Sequence, residues 1–182
     1  MLTITIPPGE IWDEKNETFI NVKSPTKIQL EHSLVSISKW EQKWHKPYLV
    51  EGEKTIEETI DYIRCMTLTK NVDSNVYLFI TPENIKDVKS YIDDPMTATW
   101  FNDKDGKGKI NSEQITSELI YYWMTVFNIP SEYQKWHLNR LITLIKICNV
   151  KNGKEKKQSR AETIRDYAAL NAARRKKLGT KG

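Results

Sequence analysis

The sequence predicts an α+β chain, mainly helical. A small N-terminal antiparallel sheet precedes a helical body with a central antiparallel helix hairpin, and a basic helical tail follows. Three observations carry this. Apolar residues alternate in short runs over the first 32 residues, repeat at helical spacing from Ser33 onward, and give way to a lysine- and arginine-rich segment after residue 150. At 182 residues and 38% apolar composition the chain suits one globular domain over 1–150 with an appendage over 151–182.

The strands come first. LTITI at 2–6, TFINV at 18–22 and KIQLE at 27–31 alternate with period two, and Pro7-Pro8 ends the first of them because proline has no N–H for the ladder. From Ser33 the period lengthens: Leu34, Ile37, Trp40 and Trp44 mark a helix that stops before Pro47. Thr55 and Glu58 form a capping box for a second helix with Ile56, Ile60 and Ile63 on one face. VYLFI at 76–80 reads as a further strand. Thr81-Pro82-Glu83 then opens a helix carrying Ile85, Val88 and Ile92.

The longest apolar region predicts helices over about 112–128 and 132–149, broken at Ile129-Pro130-Ser131, with Ser131 to Gln134 as a capping box. A short break between long apolar helices predicts the antiparallel hairpin. VKNGKEKKQ at 150–158 reads as a linker. The last segment has helix propensity with a thin apolar face (Ile164, Ala168, Leu170 or Ala172), and orders on a partner.

The string DKDGKGKINSEQ at 103–114 invites comparison with a calcium loop. Asp103, Asp105, Gly108 and Asn111 fall at the expected positions, but Lys107 stands where an oxygen ligand belongs and Gln114 replaces the bidentate carboxylate. It is read as a connector whose Asn111 and Gln114 cap the next helix. No metal or other cofactor is expected. Cys65 and Cys148 are read as free thiols, and His32, His45 and His137 are scattered. No apolar run approaches the roughly 20 residues of a membrane span, and the start has no basic-then-apolar leader, which predicts a soluble protein with no membrane partner.

No catalytic residue is assigned. His137 has no nucleophile and orienting acid beside it, the clustered Glu57, Glu58 and Asp61 read as solvated helix-end charges, and no glycine loop has phosphate-binding spacing. The charge distribution points to binding instead. Residues 151–182 hold 11 basic and 3 acidic side chains, a net +8, against −4 for residues 1–150. Arg174, Arg175, Lys176 and Lys177 could meet phosphates or an acidic protein surface, but Tyr167 is the only aromatic available to stack on bases, so nucleic acid is a possible partner without being the favoured one. Trp40 and Trp44, one turn apart, are the candidate partner-binding aromatics of the body, with a core position as their alternative.

SLVSISKWEQKWHKPYL, ELIYYWMTVFNIPSEYQKWHLNRLITLIKICNVKN and YAALNAARRKKLGTKG resemble small proteins of the structural-gene modules of tailed bacteriophages, described as tail assembly chaperones or virion-module proteins. The resemblance covers about half the chain and carries no catalytic motif. It implies a non-enzymatic chaperone that binds the tape measure protein in the host cytoplasm during tail morphogenesis. A permanent structural protein of the virion (tail, connector or capsid-associated) is the alternative, since such chaperones are mostly helical and the first 32 residues here read as strands.

Overall fold

The structure, a computed structural model, describes residues 1–14, 16–50, 52–99 and 114–155. Strands β1 (Leu2–Ile6) and β4 (Thr26–Leu30) pair antiparallel, and between them β2 (Gly9–Asp13) and β3 (Thr18–Val22) form a second antiparallel pair. The four strands are one long hairpin with an interruption. Pro7 and Pro8 on one side face Lys23, Ser24 and Pro25 on the other, so two residues oppose three and the register shifts by one, as at a bulge. The shift separates a buried base from a distal ribbon.

In the base the alternation is strict. Ile4, Ile6, Ile28 and Leu30 point inward and are buried, while Thr3, Thr5, Lys27 and Gln29 face out. The far edge of β4 is closed by the chain leaving the second helix: Glu31 N–H donates to Met66 O at 2.9 Å and Leu68 N–H to Gln29 O at 2.8 Å. An open edge is thereby satisfied without a third strand.

Helices α1 (Leu34–Trp44), α2 (Ile56–Met66) and α3 (Pro82–Asp93) begin where the sequence placed them. Each has a reciprocal cap: Ser33 with Ser36, Thr55 with Glu58, and Thr81 with Asn84. Such caps contribute roughly 1 kcal/mol each. The helix α1 ends at His45, whose left-handed backbone (φ 52°) lets its N–H reach Glu41 O. The core joins the inward face of β1 and β4 to Leu34, Ile37 and Trp40 of α1, Tyr62, Ile63 and Met66 of α2, and Val88 and Tyr91 of α3.

Two expected elements come out differently. VYLFI is not a strand: Ser74–Phe79 is a 3-10 helix whose N-cap Asp73 accepts Asn75 N–H, with Val76 and Tyr77 buried in succession and Leu78 turned outward. Five apolar residues between a capping aspartate and Thr81-Pro82 satisfy either conformation locally, and burial of two adjacent side chains selects the turn. The helix expected from about 112 is α4 (Ser117–Val126), capped by Thr116 accepting Leu119 N–H, not by Asn111. The residues 103–113 lie outside the described residues.

The break between the last two helices is itself structured. Ser131–Lys135 forms a 3-10 helix with no side-chain cap from Pro130 or Ser131, and Tyr133 stacks on Trp136 at 3.9 Å. The final helix α5 (Leu138–Glu155) therefore starts six residues later than Ser131 to Gln134 suggested, after His137 bridges to Ser33 and Leu138 N–H reaches His32 O at 2.8 Å. Tertiary pairing with the β4–α1 corner holds the backbone extended at Trp136 and overrides the local capping signal. Against α1 lie both α4 and this 3-10 turn, so the connector expected to be a bare break is part of the packing.

Residues 1–145 form one compact unit, ending with Leu138, Leu141 and Ile145 buried on one face of α5. The described part of the second unit is the rest of α5, whose helix continues through Glu155 where a linker was expected from residue 150. Lys, Asn and Glu keep helical geometry, and the single Gly153 costs only about 1 kcal/mol.

Candidate partner-binding surface

The two tryptophans singled out in the sequence divide. Trp40 is 1% exposed, stacks on Trp44 at 6.0 Å, and donates its Nε1–H to Glu58 O at 3.0 Å. It belongs to the core and presents nothing to a partner, which corrects its candidacy as a binding residue. Trp44 is half-buried and donates its Nε1–H to Asp61 Oδ2 at 2.9 Å, and Asp61 also pairs with Lys43. Its ring borders an open hollow of about 340 Å³ together with Ile60, Arg64 and Leu78. Arg174, Arg175, Lys176 and Lys177 lie outside the described residues.

The neighbouring feature was not singled out in the sequence. In the ribbon, Ile11 faces Ile20 on one side, and Trp12 faces Phe19 on the other. The inner pair looks across a hollow of about 500 Å³ toward Leu78. The outer pair meets edge-on at 4.8 Å between ring centroids with Trp12 48% and Phe19 61% exposed. The outer face thus carries one aromatic pair beside the polar pair Glu10 and Asn21, and Trp12 also borders the hollow. Leu78, 46% exposed, stands between the ribbon hollow and the Trp44 hollow and borders both. The signal in the sequence was there but short: Trp12 and Phe19 are equidistant from the turn between β2 and β3, yet GEIWD lacks the alternation that identifies a strand.

The ribbon is seated by close packing at its root. Gly9 lies against the Phe79 ring so tightly that any Cβ would overlap it. Charge follows the ribbon as well: residues 9–22 carry four carboxylates (Glu10, Asp13, Glu14 and Glu17) and one lysine.

The acids that looked like solvated helix-end charges have more structured roles. Glu58 is buried; its carboxylate accepts Lys46 Nζ–H at 2.7 Å and Thr55 N–H at 2.8 Å, and these bonds hold it below the usual carboxylate range. Asp61 is buried between Lys43 and Trp44, and only Glu57 remains on the surface. One helical turn therefore directs two carboxylates inward and one outward.

A third hollow, of about 590 Å³, opens between α2 and α3 over the stacked rings of Tyr48 and Tyr62, with Lys54 Nζ 4.5 Å from the Tyr48 centroid. Burial raises both phenols above their usual range, so they remain neutral. Behind them His32 Nδ1 lies 2.5 Å from Tyr62 Oη, and burial, then the nearby His137, push His32 down to about 3. His137 is also lowered by burial; its Nε2–H donates to Tyr91 O at 3.0 Å while Nδ1 has no partner. Both rings are neutral at pH 7 and meet edge-on at 5.1 Å between centroids, His32 bonded to α2 and His137 to α3.

Among the described residues no group of three His, Cys, Asp or Glu side chains is arranged to hold a metal ion, and no helix is long and apolar enough to cross a membrane. No family model, curated protein or solved structure matches the chain.

Proposed function

We propose that this protein is a non-enzymatic tail assembly chaperone of a tailed bacteriophage, which binds the tape measure protein in the host cytoplasm while the tail is built. The resemblance of three segments motivates the reading, and the single observation that supports it is the β2–β3 ribbon. An aromatic pair about half exposed on an acidic ribbon is apolar surface in search of a cover, and covering the exposed half of each ring would contribute roughly 1 to 1.5 kcal/mol. A long helical partner with repeated apolar faces supplies such a cover. Co-expression of the full chain with the tape measure protein of the same phage tests it: the two co-purify, and Trp12→Ala with Phe19→Ala weakens the complex. Failure to co-purify would sink the proposal.

The strands favour a second reading, a permanent structural protein of the virion that contacts nucleic acid through Arg174 to Lys177 in one variant. Mass spectrometry of purified virions separates the two. Abundant peptides of this chain in mature particles select the structural reading, and their absence selects the chaperone.

A further inference from the structure

We infer that β3 is a self-pairing edge: two copies of this chain join their ribbons antiparallel along β3, with Ile20 opposite Ile20 of the second copy, into one four-stranded sheet. The ribbon has two strands, so each turns a row of alternate backbone N–H and C=O groups away from the other. Among the described residues no backbone group of 18–22 bonds to anything outside the ribbon.

The two edges differ as templates. β2 (GEIWD) carries Glu10 and Asp13 and no base, and Glu14 follows it, so two copies of β2 bring only acids together. β3 (TFINV) has no charge and no proline, and its Thr, Phe, Ile and Val suit an extended, paired strand. Thr18, Phe19 and Asn21 are exposed, and Ile20 and Val22 are half-buried.

Charge names both the occupant and the register. Glu17 precedes β3 and Lys23 follows it; both are exposed, and among the described residues neither is in an ion pair. Antiparallel pairing about Ile20 sets Thr18 against Val22 and Phe19 against Asn21 of the second copy, and one step further Glu17 against Lys23. The two-fold axis repeats every one of these pairs. A slip of one or two residues in either direction breaks both ion pairs. A uniformly basic segment laid along β3 meets like charge at Lys23, and a uniformly acidic one meets it at Glu17, so the strand is complementary to itself.

The pairing runs along an edge and leaves the outer face open. The two copies of Phe19 take diagonal positions on adjacent strands, roughly 7 to 8 Å apart and within reach of aromatic rings, so the two Trp12–Phe19 pairs form one row across the dimer. This assembly goes beyond the chaperone role and does not depend on it.

Sedimentation equilibrium of the full chain at low salt tests it, and shows a monomer–dimer equilibrium. Glu17→Lys alone and Lys23→Glu alone each set like charges opposite one another twice and weaken the dimer at least about tenfold. Glu17→Lys with Lys23→Glu restores it, and mixing the two single variants gives a heterodimer. Mild oxidation cross-links Ile20→Cys to a second copy, because opposed Cα atoms at about 4.5 to 5.5 Å fall within disulfide range. Thr18→Cys, which stands opposite Val22, gives no more cross-linked dimer than wild type with its own Cys65 and Cys148. Circular dichroism confirms that each variant is folded, and the exposed positions 17 and 23 keep the test decisive if Ile20→Cys does not fold. A chain that stays monomeric, a dimer indifferent to both charge reversals, or equal cross-linking of Thr18→Cys and Ile20→Cys overturns the assignment.

Discussion

The carboxylate of Glu41 accepts the backbone N–H of Ser117 at 2.8 Å, joining α1 to the first turn of α4 across 76 positions of sequence. Its other oxygen accepts Tyr48 N–H, also at 2.8 Å, so one buried side chain fixes both the turn after α1 and the start of α4. A helix N-terminus with its orphan amides is where a carboxylate is stabilised most. Glu41→Ala leaves two buried N–H groups without acceptors and destabilises the fold by about 2 to 4 kcal/mol. Glu41→Gln restores only one of them, because its amide NH2 confronts the second N–H, and falls between the two in urea denaturation.

Ser117 contributes its backbone but not its hydroxyl. The Oγ is fully buried and has no hydrogen-bond partner. Ser117→Ala keeps the N–H to Glu41 and removes an unsatisfied polar atom, so stability is unchanged or rises by up to about 1 kcal/mol. A melting temperature well below that of wild type would show that the hydroxyl is needed.

Acid should unfold the protein earlier than its carboxylates alone would dictate. His32 is near 3 in the fold and near 6.5 when unfolded, and His137 is lowered as well. Between those values the unfolded chain binds protons that the folded one refuses, so the stabilisation is complete above about pH 6.5 and declines as pH falls toward 3. Protonation of His32 removes up to about 1.4 kcal/mol per pH unit in that window, and His137, lowered by its burial, adds to the loss in the same direction. Glu58, held low by Lys46, adds its own loss only below about 4.5. The wild type loses stability from pH 6.5 downward in urea titrations, and His32→Gln, which keeps a partner for Tyr62, flattens the decline above pH 4.5.

Trp40 and Trp44 separate stability from binding. Trp40→Ala removes a fully buried ring and its bond to Glu58 O, and costs about 3 to 5 kcal/mol. Trp44→Ala costs less in stability and acts on the open hollow beside Leu78, which it borders. Calorimetric unfolding ranks the two variants; equal destabilisation would place both rings in the core.

Gly9→Ala tests how the ribbon is held. A methyl group there overlaps the Phe79 ring, which must turn away and loosen the root of β2. The variant loses about 1 to 3 kcal/mol, and Phe79→Leu made in the same chain recovers part of it.

The parts legible in the sequence were those set by local chemistry. Thr55 with Glu58, Thr81 before Pro82, and Ser33 before a run of helical period mark helix starts because each cap uses atoms within four residues of the end. The alternation of LTITI and KIQLE likewise dictates which side chains line the core. Tertiary structure decided what local chemistry leaves degenerate. VYLFI could be strand or turn until Val76 and Tyr77 were buried together, and Ser131 to Gln134 lost its helix start to the pairing of His137 with Ser33. Trp40 and Trp44 share one helical stripe, and only the packing of α2 buries the first and leaves the second at the rim. The ribbon follows the same rule. Sequence sets the alternation of Trp12 and Ile11 across it, whereas the outer face is exposed because Gly9 seats the other face against Phe79, a contact made across some seventy residues of chain.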